Sequence, residues 1–190
     1  DNQFLGELCE RLNSPDRVLP GGMIYMNDLI LNPQIVSRLG EIIMQRSIEL
    51  KPQYIMTVET KGIPLGLSAA KAFNIPMVMA RKEARITEGP AVSISYLSGS
   101  TKKIKSMSLP KKALPHGARV LVIDDFMRAG GTANGLCELA EEVGAEVVGV
   151  YLFIAAKEPA KKLVREYASL LTLRGVDETS KAVDIVPEML

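Results

Sequence analysis

The segment Val120–Thr132 reads VLVIDDFMRAGGT. Its apolar start, Val120–Ile123, is typical of a parallel strand that is covered on both faces. Asp124 and Asp125 follow directly, and a pair of glycines then precedes a helical pattern. The segment therefore predicts a strand, a glycine-rich turn and a helix, with two carboxylates at the edge of a sheet.

This turn carries the groups that a sugar phosphate needs. Two adjacent carboxylates can accept hydrogen bonds from vicinal hydroxyls, such as those of a ribose. Gly130 and Gly131 let the backbone curl around an anion, Thr132 adds a hydroxyl donor, and the first N–H groups of the helix point at the same anion. The spacing matches neither the Walker loop GxxxxGK[ST] nor the dinucleotide motif GxGxxG. It predicts a ribose 5-phosphate site, the alternative being a turn that only joins a strand to a helix.

Strand and helix patterns alternate around this segment, which predicts an α/β fold with a mostly parallel sheet flanked by helices. The predicted strands are Tyr54–Glu59, Ile75–Arg81, Val120–Asp124, Glu146–Ile154 and a short last strand, Leu170–Leu173. The predicted helices are Gln3–Leu12, one that starts at Pro33 with Asn32 as its cap, Pro64–Phe73, Thr132–Val143 and Pro159–Tyr167.

One segment interrupts the alternation. Ala91–Leu97 and Ile104–Leu109 show period-two patterning around Ser98-Gly99-Ser100, which predicts a β-hairpin. We interpret it as an inserted flap over the carboxyl edge of the sheet, where open α/β sheets bind ligands. The alternative is a surface excursion without a role in binding.

Length, composition and net charge indicate the general class of protein. A length of 190 residues suits one domain, and 47% hydrophobic with 24% charged residues is ordinary for a globular protein. The net charge of +1 does not indicate a free-standing DNA or RNA binder. No apolar run reaches the roughly 18–20 residues of a membrane span and no signal peptide is recognisable, so we expect a cytoplasmic protein with no membrane partner.

Cysteine and histidine give little support to metal or nucleophilic chemistry. Cys9 and Cys137 lie far apart and form no CxxC pair, and we interpret them as buried thiols in a reducing cytosol; a disulfide is the alternative. The single histidine, His116, sits in a turn-like Pro-His-Gly and is expected to be solvated. We assign no catalytic residue and no metal-ligating residue.

The segment Val120–Thr132 resembles the signature of the type I phosphoribosyltransferases, in which two acidic residues precede a glycine-rich phosphate loop. The resemblance implies that the ligand is phosphoribosyl pyrophosphate (PRPP), that Mg²⁺ could accompany it, and that Thr57–Gly62 is the pyrophosphate loop. It also implies a cis peptide at Thr60–Lys61. The implied PRPP-binding residues are Thr60, Lys61, Gly62, Arg81, Lys82, Asp124, Asp125, Phe126, Met127, Arg128, Ala129, Gly130, Gly131 and Thr132, with hairpin contacts from Tyr96, Ser98, Ser100 and Lys102.

A narrower resemblance rests on MTVETKGIPLG, TEGPAVSISYLSGS, MSL, DDFMRAGGT and SLLTL, between about Leu8 and about Leu173. These stretches are similar to the effector domain of the bacterial purine operon repressors, in which PRPP lowers the affinity for DNA. The resemblance implies that residues 1–190 form the PRPP-binding domain. It implies that a winged-helix domain outside this sequence binds operator DNA, and that the protein is a homodimer with Ile24–Leu31 in its interface. A guanosine polyphosphate could compete with PRPP.

Two departures from the enzymes of this family bear on function. Ala129 stands where many transferases have a Thr or Ser, which removes a hydroxyl donor worth about 1 kcal/mol, and Arg128 could restore affinity by its charge. The nearest candidates for a base-reading hood are Met23, Tyr25 and Met26, which we interpret as packing residues.

Three functions therefore stay open. The first is a PRPP-sensing regulatory domain that is not an enzyme, with the hairpin lysines Lys102, Lys103 and Lys105 moving between DNA phosphates and the ligand. The second is a catalytic purine phosphoribosyltransferase that uses xanthine or adenine. The third, a DNA-binding module, is disfavoured by the near-neutral charge.

Overall fold

The computed structural model describes residues 1–83, 86–98 and 102–189. In these residues the α-helices are α1 (Asn2–Leu12), α2 (Asn27–Ile30), α3 (Pro33–Ser47), α4 (Ile63–Phe73) and α5 (Gly131–Glu142). The strands are β1 (Val18–Leu19), β2 (Met23–Ile24), β3 (Tyr54–Val58), β4 (Met77–Ala80), β5 (Ala91–Leu97), β6 (Ile104–Pro110), β7 (Arg119–Met127), β8 (Glu146–Ala156), β9 (Ala168–Asp177) and β10 (Ala182–Pro187).

The main sheet has six strands in the order β10-β9-β8-β7-β3-β4. Neighbouring strands from β9 to β4 run parallel, and β10 alone pairs antiparallel, with β9. β5 and β6 form a separate antiparallel hairpin. The predicted α/β fold, a mostly parallel sheet with an inserted hairpin, is confirmed.

Each face of the sheet is covered by its own core. Alternate residues of β7 point to opposite faces, so Leu121 and Ile123 pack among α1, α3 and α4, whereas Val120 and Val122 pack among α5 and the hairpin. Continuing this alternation places Asp124 on the face that α5 and the hairpin cover. The register of β7 thus decides on which side of the sheet the carboxylate stands.

Local sequence signals, such as caps and glycines, agree with the observed ends of the helices. The Oδ1 atom of Asn32 accepts hydrogen bonds from the N–H groups of Gln34 (3.0 Å) and Ile35 (3.1 Å), which confirms the predicted cap of α3. Beyond the end of α5, Gly144 has the positive φ (85°) that favours glycine. The hairpin packs against α5 and is joined to the end of β4 by a bridge between Arg81 and Ser108.

One predicted element near the C-terminus is wrong, and another is shorter than the observed strand. Pro159–Tyr167 is irregular and not helical, because its polar groups bond to the turn after β7: Lys162 Nζ donates to the Arg128 carbonyl and the Leu163 N–H to the Ala129 carbonyl. The predicted strand Leu170–Leu173 is longer, and β10 follows it, held by the burial of Ile185 against α1 and β9.

Cys9 is buried and Cys137 half-buried, and both are free thiols. Burial raises the pKa of each to about 11, so neither is a reactive thiolate at neutral pH. His116 is exposed, as expected. Across the described residues, no helix combines the length and the apolar character that crossing a membrane requires.

The close packing of α3 on α4 depends on Gly40. A Cβ atom there would lie 2.6 Å from the backbone carbonyl carbon of Ser68 and 2.8 Å from the backbone nitrogen of Ala69. We expect Gly40→Ala to lower the free energy of unfolding by about 2 kcal/mol, because the two helices must move apart. Gly6→Ala in α1, where a Cβ would meet nothing within 4 Å, should instead raise it by about 0.5–1 kcal/mol. Urea denaturation measures both, and equal effects would contradict the packing described.

Candidate functional site

A cavity of about 510 Å³ lies at the carboxyl ends of β3 and β7, beneath the hairpin. This volume is typical of a small-molecule site. Its walls are Met23, Ile24 and Met26 from the N-terminal segment, Val58–Gly62 after β3, Lys82, the hairpin residues Tyr96, Ser98 and Lys105, and the run Asp124–Ala133.

Most residues predicted to bind the ligand line this one cavity. Two do not: Lys102 is exposed near the hairpin tip, and Arg81 is engaged in ion pairs with Glu88 (2.5 Å) and Glu59 (3.9 Å). Ser100 lies outside the described residues. Arg81 thus connects Glu59 and Glu88 beside the cavity, and Lys82 lines the cavity itself.

Asp124 is the most constrained ionisable group of the cavity. Its residue is 7% exposed, and the Asp125 N–H donates to its Oδ1 atom at 2.9 Å. Burial, and after it the charge of Asp125, raise the pKa of Asp124 well above its usual range, against a smaller opposite effect of Lys82. A ligand that brings hydroxyl donors to this carboxylate would relieve the cost of its burial.

The turn after β7 has the backbone of an anion site. Gly130 has a φ of 90° and caps α5, so the first N–H groups of that helix open toward the cavity. A Cβ on Gly130 would also meet the backbone nitrogen of Val164 at 3.4 Å. The positive φ favours glycine there.

The loop after β3 lies against Asp124. A Cβ on Gly62 would come within 2.8 Å of the Asp124 Oδ1 atom, so a side chain at this position would enter the carboxylate's space. The Glu59 Oε1 atom accepts from the Lys82 N–H at 2.7 Å, which joins this loop to the end of β4. The cis peptide is Glu59–Thr60, so the predicted Thr60–Lys61 is wrong by one residue; β3 ends at Val58, one residue before the predicted end of the strand.

The cations around the cavity differ in their surroundings. Lys61 and Lys82 are exposed, whereas Lys105 is half-buried. Arg128 is half-buried too: it donates to the Gly22 carbonyl, its guanidinium lies 5.4 Å from the centre of the Phe126 ring, and burial lowers its pKa. Arg128 therefore ties the turn after β7 to the N-terminal segment.

The hairpin closes over the carboxylate and the start of α5. Tyr96 is 9% exposed, and burial together with the charge of Asp124 raises its pKa. A Cβ on Gly131 would overlap the Leu97 carbonyl, so the hairpin backbone rests directly on the first turn of α5. The interpretation of the hairpin as a flap over this edge agrees with these contacts.

Glu59 was predicted only as part of the pyrophosphate loop, Ile24 only as part of Ile24–Leu31, and Lys105 only as one of the hairpin lysines; all three line the cavity. The signal for Lys105 was the hairpin register, because Lys105 pairs directly with Tyr96 across the two strands. Met23 and Met26, which were interpreted as packing residues and not as a base-reading hood, both line the cavity. Within the described ranges, no cluster of His, Cys, Asp and Glu residues could hold a metal ion by itself.

Residues 27–184 match the family model of the phosphoribosyl transferase domain, and the chain belongs to that family. Within it, the chain is a homologue of the PurR regulators. It is 42% identical over 183 residues to the purine biosynthesis transcriptional repressor PurR of Bacillus subtilis (strain 168), covering 96% of this chain but only 64% of that protein's length.

Other similar proteins include a second regulator and two phosphoribosyltransferases. The purine biosynthesis transcriptional activator PurR of Lactococcus lactis (strain IL1403) is 34% identical over 94% of this chain and 66% of that protein. A xanthine phosphoribosyltransferase of Lactobacillus delbrueckii is 37% identical over 75% of this chain and 78% of the enzyme. The crystal structure of adenine phosphoribosyltransferase from Thermoanaerobacter pseudethanolicus, 21% identical, has a TM-score of 0.74 over 87% of this chain and 98% of that one, which supports the fold.

Asp124 should make the ligand-free chain less stable at neutral pH. Since its pKa is higher in the folded than in the unfolded chain, the folded chain holds this proton more tightly. Stability therefore falls as the pH rises from the unfolded value of about 3.9 through the folded pKa. Asp124→Asn should raise the free energy of unfolding at pH 7 and flatten this fall, as measured by urea denaturation across pH. The exposed control Asp16→Asn should do neither, and an Asp124→Asn variant less stable than the unaltered chain would contradict the account.

Proposed function

We propose that residues 1–190 form the PRPP-sensing domain of a transcriptional regulator of purine biosynthesis. The observation that carries this proposal is one cavity with three kinds of ligand group: a buried carboxylate beside a second one, the open N-terminus of α5, and exposed lysines. PRPP has the matching parts, a vicinal diol, a 5-phosphate and a diphosphate.

Each part of PRPP has a proposed position. The diol donates to Asp124 and Asp125, and the 5-phosphate accepts from the N–H groups between Ala129 and Thr132. The diphosphate lies by Lys61 and Lys82, where charge-assisted hydrogen bonds are strong. Mg²⁺ would arrive with PRPP, because phosphate oxygens and water supply most of its ligands.

The remaining wall of the cavity favours holding PRPP over transferring its ribose. Met23, Ile24 and Met26 give this wall an apolar surface, and the guanidinium of Arg128 is engaged by Gly22 and Phe126. The PurR relatives also align over nearly the whole chain, whereas the xanthine phosphoribosyltransferase aligns over 75% of it. Both observations support a regulatory use of the site.

The proposed response runs through the hairpin. A ligand shifts DNA binding only by its differential affinity for the DNA-bound and free states. The hairpin meets the ligand site at Tyr96, beside Asp124, and at Leu97, on α5, while Lys102 and Lys103 are exposed near its tip. In the proposed full-length protein, a cytoplasmic homodimer, PRPP rearranges this hairpin and lowers the affinity of a separate N-terminal domain for operator DNA. A guanosine polyphosphate would compete for the same cavity.

Fluorescence anisotropy with operator DNA and the full-length protein tests this response. We expect PRPP to weaken DNA binding by about tenfold, a usual size for an allosteric coupling. Asp124→Asn should leave DNA affinity unchanged without PRPP and abolish the response, because the diol loses its charged acceptor. The control Asp16→Asn should respond as the unaltered protein does. A DNA affinity that PRPP leaves unchanged would overturn the proposal.

A catalytic purine phosphoribosyltransferase is the second candidate, favoured by the 37% identity to a xanthine phosphoribosyltransferase. An enzyme should release pyrophosphate from PRPP and Mg²⁺ when xanthine or adenine is added. We expect no release above background. Turnover at roughly 1–10³ per second would establish the enzyme and overturn the sensor.

A further inference from the structure

The segment from Ala156 to Val164, called here the backing segment, lies behind the turn after β7. This turn, residues 128–131, is called the phosphate loop below because the proposed function places the 5-phosphate there. Lys162 Nζ donates to the carbonyl oxygens of Arg128 (2.5 Å) and Ala156 (2.6 Å). The N–H of the next residue, Leu163, donates to the Ala129 carbonyl at 2.8 Å. Two consecutive carbonyls of the loop are thus held by one neighbouring segment.

Holding these carbonyls fixes the direction of the loop's amides. In a trans peptide the C=O and the N–H point in opposite directions, and the peptides after Arg128 and Ala129 are trans. Since both carbonyls point at the backing segment, the N–H groups of Ala129 and Gly130 point away from it. Both residues line the cavity, so these two donors face the space in which an anion would lie.

The contact is close along the whole loop. Val164 is buried, and a Cβ on Gly130 would meet its side chain and its backbone nitrogen at 3.4 Å each. The Leu163 side chain lies 3.8 Å from the position of a Cβ on Gly131. Rotation of the Arg128 or Ala129 peptide would therefore break a hydrogen bond to the backing segment.

Lys162 also brings a positive charge to the rear of the loop. It is half-buried, and among the described residues no carboxylate lies within 4.0 Å of it, so its hydrogen-bond acceptors are backbone carbonyls. Glu158, whose charge acts on it, directs its own carboxylate to the Ala160 N–H at 3.1 Å. A cation placed in this way adds to the field of the α5 N-terminus that attracts an anion.

We infer that Lys162 is a positioning residue of the phosphate subsite: by holding the Arg128 carbonyl from behind, it aims the Ala129 N–H at the 5-phosphate. This role rests on the proposed function, since it concerns the same cavity. It also explains why Pro159–Tyr167 forms no helix, because these residues serve the neighbouring loop.

The test separates the two ends of PRPP by using ribose 5-phosphate and pyrophosphate as individual ligands, each titrated calorimetrically. We expect Lys162→Met to weaken ribose 5-phosphate binding by about tenfold and to change pyrophosphate binding less than twofold, because Lys162 hydrogen-bonds to the turn after β7 and to Ala156. Lys161→Met, at the exposed neighbouring position, should bind both ligands as the unaltered chain does. Lys162→Arg, which keeps a charge and N–H donors, should recover most of the lost affinity.

The outcomes are distinguishable. If the unaltered chain binds neither ligand, the proposed function itself fails. If it binds both and Lys162→Met binds ribose 5-phosphate equally well, only the role of Lys162 is overturned. Loss of both affinities in both Lys162 variants would overturn it too, because the residue would then support the fold in general. Equal losses in the Met and Arg variants would contradict the part assigned to its N–H donors.

Discussion

The burial of one carboxylate, that of Asp124, constrains the rest of the site. The alternation of β7 turns it toward the face covered by α5 and the hairpin, where it is 7% exposed and its pKa is raised. Gly62 has no side chain that would collide with this carboxylate, and Tyr96 of the hairpin lies near it. A buried acid destabilises a fold unless a ligand or a neighbouring group supplies donors, so stability and ligand binding are opposed at this residue.

The turn after β7 is contacted by two separate segments. The Leu97 carbonyl of the hairpin lies against Gly131, and the backing segment holds the carbonyls of Arg128 and Ala129. A ligand bound at this turn would lie next to residues that contact both segments. In the proposed function, the contact between Leu97 and Gly131 links the ligand site to the hairpin, and a regulatory response requires such a link.

The sequence predicted the elements whose signals are local and left out those that depend on distant partners. The strand, carboxylates and glycines of Val120–Thr132 carry their own pattern, and the Asn32 cap needs only its own helix. By contrast, Pro159–Tyr167 has a composition that suits a helix, and it is irregular because Lys162 and Leu163 bond across to the loop after β7. The last strand, β10, is stabilised by α1 and β9, the first of which lies far away in sequence. Such partners leave no periodic signal in the segment itself.

At the site, residue types could be predicted but their partners could not. Arg128 was expected to add charge for a phosphate, whereas its guanidinium lies over Phe126 and bonds to Gly22, 106 positions away.

Calorimetric titration of the chain with PRPP, with and without Mg²⁺, shows whether this cavity binds PRPP. We predict saturable binding of one PRPP per chain. The absence of binding under both conditions would contradict the account.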